Sequence, residues 1–105
     1  VFHCFSGDAA MAHVCASHGW YMSFAGVITF KNSVALREAL MVAPIDLLLV
    51  ETDAPYLTPT PNRGKVNASY LMPYTVRTIA ELRELSEEET AATLTGNTIR
   101  VFGDW

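Results

Sequence analysis

The sequence predicts an α/β domain built on a mainly parallel sheet. Three features point there: short β-rich runs alternate with helical patterns along the chain, Leu47-Leu48-Leu49-Val50 is apolar without alternation, and the strand-like runs open into polar loops. A strand lacking polar alternation is covered on both faces, as a parallel strand is when crossover helices flank it. Such crossovers are right-handed, and functional residues gather beyond the carboxyl ends of the strands.

The elements follow in order. Val1 to Phe5 is β-rich and stops at Ser6-Gly7-Asp8, where Ser or Asp can cap a helix. From Asp8 to His18 the apolar positions Ala9, Met11, Ala12, Val14 and Cys15 keep mostly helical spacing, and His18-Gly19 is a stop signal. Trp20 to Phe24 reads as a second strand, extended or followed by Val27 to Phe30. Lys31-Asn32-Ser33 then opens a helix that Pro44 closes. Leu47 to Val50 is the third strand, ending at Glu51-Thr52-Asp53-Ala54-Pro55. Four of the five prolines fall between Pro55 and Pro73, which predicts a long irregular loop beside a strand end, a usual place for substrate contacts. Helical patterns return from about Met72 to Leu85, and again towards Phe102 after the capping box that begins at Ser86.

Composition narrows the function. With 50% hydrophobic and 17% charged residues, the chain has the material for a core and is not disordered. Its formal charge of -4 argues against holding nucleic acid by neutralising many phosphates, so a polyanionic substrate has to be engaged locally, for instance through bound metal cations. Cys4 and Cys15 are too sparse for a disulfide framework and lack the Cys-x-x-Cys spacing of a zinc site; reduced thiols and a cytoplasmic location are expected. No apolar run reaches the roughly 18 to 20 residues that span a bilayer, so no membrane association is expected. The opening Val1-Phe2-His3-Cys4-Phe5, with no initiator methionine, turn or cap, reads as a cut inside an ordered domain.

The chemistry-bearing residues sit at strand ends. Neutral imidazole and carboxylate are the usual ligands of a hydrolytic divalent metal, and His3 and Asp53 supply one of each. The plainer alternatives are a hydrogen-bonded structural histidine and a turn carboxylate. Glu51 alternates with Asp53 on an extended backbone, so both can face one side; one can bind metal while the other orients a ligand or water, although a salt bridge needs the same spacing.

Taken together, His3-Cys4-Phe5-Ser6-Gly7, Tyr21 to Gly26, Leu48 to Leu57 with its Glu-Thr-Asp-Ala-Pro-Tyr-Leu run, Arg63-Gly64-Lys65, and the ending Asn97 through Gly103 resemble the TatD deoxyribonuclease family in order and separation. The resemblance covers nearly the whole chain. It implies that residues 1–105 are the carboxyl-terminal part of a TIM-type (β/α)8 barrel of the amidohydrolase kind, a fold of roughly 250 residues when complete, with the amino-terminal part of the barrel missing. It implies a hydrolase that cleaves DNA phosphodiesters with divalent metal ions, two per full site, of which Mg, Mn and Zn are the candidates. His3 resembles the histidine of the sixth strand, a metal ligand or phosphate-facing group. Asp53 resembles the aspartate of the eighth, which binds metal and accepts a proton from the attacking water. Arg63 and Asn67 match the family's Arg-Gly-Lys-x-Asn loop, as phosphate contacts or as residues that hold the loop closed. The departure is Val66-Asn67-Ala68-Ser69, where relatives often carry Arg-Asn-Glu-Pro. The family's His-x-His pair, its further glutamate and its middle-strand histidine have no counterpart here. His13 and His18 are expected to face solvent or cap a helix. Two other readings stand beside this one: the same barrel acting on another ester or amide, and a non-catalytic truncated α/β module.

Overall fold

The computed structural model describes residues 1–103. Its helices are Ala9–Ser17 (α1), Val34–Val42 (α2), Met72–Arg83 (α3) and Glu87–Phe102 (α4). Its strands are Met22–Phe24 (β1) and Leu48–Val50 (β2), and 3-10 turns form at Gly26–Thr29, Ile45–Leu47 and Ser69–Leu71. The strands pair in parallel, with Met22 opposite Leu48, Ser23 opposite Leu49 and Phe24 opposite Val50. All three residues of β1 are buried, as expected for a strand covered on both faces.

The expected first strand is shorter than its composition suggests. Phe2 makes one parallel bridge to Met22, with its N–H donating to the Tyr21 carbonyl and its carbonyl accepting from Ser23, before the backbone turns away. The turn is at Cys4, whose φ of 45° is incompatible with a ladder and whose N–H goes to the Glu51 carboxylate. Cys4 therefore bulges out of the pairing, its N–H going to the carboxylate just past β2 while the Phe5 N–H takes the Ser23 carbonyl at 2.8 Å. The stretch Val27 to Thr29 likewise leaves the sheet as a 3-10 turn instead of extending β1.

Helix ends follow local chemistry. Asp8 caps α1 by accepting from the Met11 N–H, and Gly19 with φ 68° follows its end. Only Ala12 and Cys15 of α1 are buried, while Met11 and Val14 stay exposed. Ser33 stands at the start of α2, but its hydroxyl donates to the Val27 carbonyl instead of capping the helix. At the other end the Arg83 guanidinium donates to the Leu40 and Ala43 carbonyls, satisfying groups that a helix terminus leaves open. Ser86 caps α4 by accepting from the Glu89 N–H, and the Glu89 carboxylate returns to the Ser86 hydroxyl.

Phe5, Met22, Phe24, Ile28, Leu40, Leu48, Ile79 and Leu94 form one core between the strands and helices. Each such side chain, fully buried, contributes about 1.5–3 kcal/mol. Asn97 of α4 is buried at 1% exposure and remains satisfied, because its amide donates to the Ile45 and Leu48 carbonyls at 2.9 and 2.8 Å and ties the helix to the start of β2.

The long proline-rich segment after β2 is ordered by specific contacts. Gly26 is needed there: a Cβ on it would lie 2.2 Å from the Leu57 carbonyl oxygen and 3.0 Å from Pro59. The Thr60 N–H donates to Thr29 Oγ1 at 2.8 Å, which ties the loop to the turn after β1. Asn67 is the inner clasp, its amide donating to the Thr52 and Tyr56 carbonyls and its N–H to the Pro55 carbonyl. Among the described residues no helix is long and apolar enough to cross a membrane.

Candidate metal centre

The centre forms where β2 ends. The Glu51 N–H donates to the Phe24 carbonyl at 3.0 Å, carrying the ladder one residue past the strand and setting the direction of its side chain. Glu51 Oε1 accepts from the Cys4 N–H at 2.9 Å, and its Oε2 lies 3.5 Å from His3 Nδ1. Two residues on, Asp53 takes φ 54°, a left-handed conformation that Asp and Asn tolerate better than most residues. The Tyr56 N–H closes a turn onto the Asp53 carbonyl at 2.8 Å, and Ala54 N–H donates to Thr52 Oγ1.

These constraints converge three side chains: ligand atoms of Cys4, Glu51 and Asp53 all lie within 4.8 Å of one another. Glu51 Oε2 and Asp53 Oδ2 are buried, and neither has a hydrogen-bond partner among the described residues. Buried carboxylate oxygens left without donors are costly, and a bound divalent cation would remove that cost. The donor set therefore fits a metal. Burial pushes the Cys4 thiol up to about 11, assisted by a hydrogen bond to the Asp53 carboxylate and by the charges of Asp53 and Glu51. Without a metal the thiol is therefore protonated at neutral pH beside the two carboxylates.

His3 is 70% exposed, with its Nδ1 directed at Glu51. A carboxylate facing one imidazole nitrogen leaves the other open to a metal or to substrate. The structure thus brings together Glu51 and Asp53, two residues singled out from sequence, whereas His3, expected as a ligand beside Asp53, approaches Glu51 and lies outside this cluster of ligand atoms. It adds Cys4, which sequence reasoning treated only as a thiol; its role depends on a backbone turn that no local pattern announces.

Arg63 and Asn67 are placed differently. The Arg63 guanidinium lies over the Phe30 ring, 4.1 Å from its centroid, and Asn67 is buried within the loop. Both are engaged in holding the loop. His13 is exposed on α1, and His18 stacks on Trp20 at 4.3 Å.

Residues 1–103 match the family model described as TatD related DNase. The chain belongs to the TatD family. It is 50% identical over 103 residues to the metal-dependent hydrolase TatD of Mycobacterium tuberculosis, covering 98% of this chain and 39% of that protein. It is 44% identical to the metal-dependent hydrolase YabD of Bacillus subtilis, covering 97% and 40%. In structure it matches the TatD homologue YJJV of Escherichia coli with a TM-score of 0.88 and 28% identity, over 98% of this chain and 40% of that one. A TatD family hydrolase of Entamoeba histolytica shares the fold at a TM-score of 0.83 and 16% identity. This TatD chain thus spans about two-fifths of the length of these relatives, and its α/β architecture is part of the family's (β/α)8 barrel.

Proposed function

We propose that this chain supplies the carboxyl-terminal part of a metal-dependent hydrolase that cleaves phosphodiester bonds in DNA. The observation that carries the proposal is the pair of buried, unpartnered carboxylate oxygens on Glu51 and Asp53 at the end of a parallel strand, within a chain that matches the TatD related DNase model. Relatives named metal-dependent hydrolases support the dependence on metal.

Glu51 and Asp53, through their unpartnered oxygens, would hold a divalent ion, and His3, whose Nδ1 faces Glu51 Oε2 at 3.5 Å, would offer its other nitrogen as the ligand that the family resemblance implies. When bound, such ions lower the pKa of water and stabilise negative charge on phosphate oxygens. Asp53 Oδ2, which has no donor of its own, would take the proton of an attacking water. The Cys4 N–H donates to Glu51 Oε1 and so orients the carboxylate.

The test uses the whole protein that carries this chain, assayed on single- and double-stranded DNA and on ester and amide substrates, with and without chelator. Chelator-sensitive DNA cleavage is the expected result. Turnover confined to esters or amides would move the barrel to another hydrolysis, and no turnover of either kind would leave a non-catalytic module.

A further inference from the structure

We infer that Tyr56 is a substrate-positioning residue of this centre, stacking on the nucleobase next to the cleaved phosphodiester. The inference rests on the reading of the chain as part of a DNA phosphodiesterase and adds to it a residue that contacts the base. Tyr56 lies three residues beyond Asp53, in the turn closed by its own N–H on the Asp53 carbonyl. That turn keeps the two Cα atoms within about 7 Å, so the exposed residue follows the carboxylate closely along the strand end.

The backbone of Tyr56 is held from several sides while its ring is left free. Its carbonyl accepts from the Asn67 amide at 2.8 Å, and the preceding Pro55 carbonyl accepts from the Asn67 N–H at 3.0 Å. Yet the residue is 74% exposed. A large, mostly exposed ring on an anchored backbone loses little freedom when a flat ligand covers it. Aromatic rings of this kind act as stacking platforms for unstacked bases.

The loop also offers charge of the right sign. Thr58 Oγ1 donates to the Lys65 carbonyl, so the limbs carrying Tyr56 and Lys65 run side by side, and Lys65 is exposed with no carboxylate within ion-pair distance among the described residues. In a chain of net charge -4, this puts an exposed cation on the same loop as Tyr56.

The experiment compares wild type, Tyr56→Ala and Tyr56→Phe in the whole protein. Substrates are a single-stranded oligonucleotide and the same strand with an abasic site beside the cleaved bond. Tyr56→Ala is expected to raise KM about tenfold with kcat within about twofold, because a contact shared by ground and transition states is removed. Tyr56→Phe keeps the stacking face and should behave as wild type. On the abasic strand, wild type should fall to the level of Tyr56→Ala, and the two should then agree. Equal kinetics of wild type and Tyr56→Ala on the intact strand would overturn the inference while leaving the nuclease reading in place. A marked fall in thermal midpoint for Tyr56→Ala would also overturn it, by showing that the ring packs within the protein. Absence of DNA cleavage by wild type would remove the nuclease reading, and this inference with it.

Discussion

Replacing Asp53 by Asn should separate the stability of this centre from its chemistry. In the metal-free protein, two carboxylates face each other with ligand atoms no more than 4.8 Å apart, and one oxygen of each lacks a hydrogen-bond donor. Two unit charges at 4.8 Å repel by about 3.5 kcal/mol at an effective dielectric of 20. The substitution removes that repulsion, and the new amide can donate to the unpartnered Glu51 oxygen. It brings no backbone penalty, since Asn accepts the left-handed conformation at φ 54° at least as well as Asp does. Allowing for the partly open site, Asp53→Asn should stabilise the metal-free protein by ~2 kcal/mol, a rise in Tm of roughly 4–8 °C for a domain near 250 residues. Added metal should act in the opposite sense. Wild type at a hundredfold excess over Kd gains about 2.7 kcal/mol, whereas the variant gains little of this and loses hydrolysis. The assay is thermal unfolding of both proteins in chelator and in a divalent-metal titration, with turnover measured in parallel. A variant less stable than wild type in chelator, or one whose metal-induced shift is unchanged, would refute the reasoning.

Other outcomes follow from the same geometry. His3→Ala should lower turnover roughly tenfold to a hundredfold while changing stability by less than about 0.5 kcal/mol, because the ring is exposed; metal analysis and denaturation check both. Gly26→Ala forces the Leu57 carbonyl to move and should cost about 1–3 kcal/mol, with faster tryptic cleavage at the exposed Arg63 and Lys65 as the loop lifts; an unchanged cleavage rate would count against the contact. Asn97→Leu leaves the Ile45 and Leu48 carbonyls without their donor and should cost about 2–3 kcal/mol in urea unfolding. The 105-residue chain alone should show no appreciable metal-dependent nuclease activity, since it spans only about two-fifths of its relatives; stoichiometric metal with chelator-sensitive cleavage would contradict this.

Much of the scaffold could be read from local pattern because its causes are local. Asp8 and Ser86 cap the helices they precede, Pro44 follows the end of α2, and the unbroken apolar run before Glu51 marks a buried parallel strand. The alternation on extended backbone expected for Glu51 and Asp53 does not hold, because Asp53 takes φ 54°; the two carboxylates converge through a left-handed turn past the strand end. The sequence therefore determined the α/β order, the family likeness and the strand end at which chemistry is expected. The tertiary structure decided what that strand end is made of. Cys4 leaves the sheet because a carboxylate 47 residues away takes its N–H, and Asn97 is polar in the core because it meets two carbonyls about 50 residues back. Gly26 is required by a carbonyl 31 residues further on, and Arg63 turns onto Phe30. None of these partners lies within the few residues over which propensity and periodicity act. Each is set by the packing of distant segments, where an unpaired polar group or a single misplaced carbon costs as much as the local preferences that packing overrides.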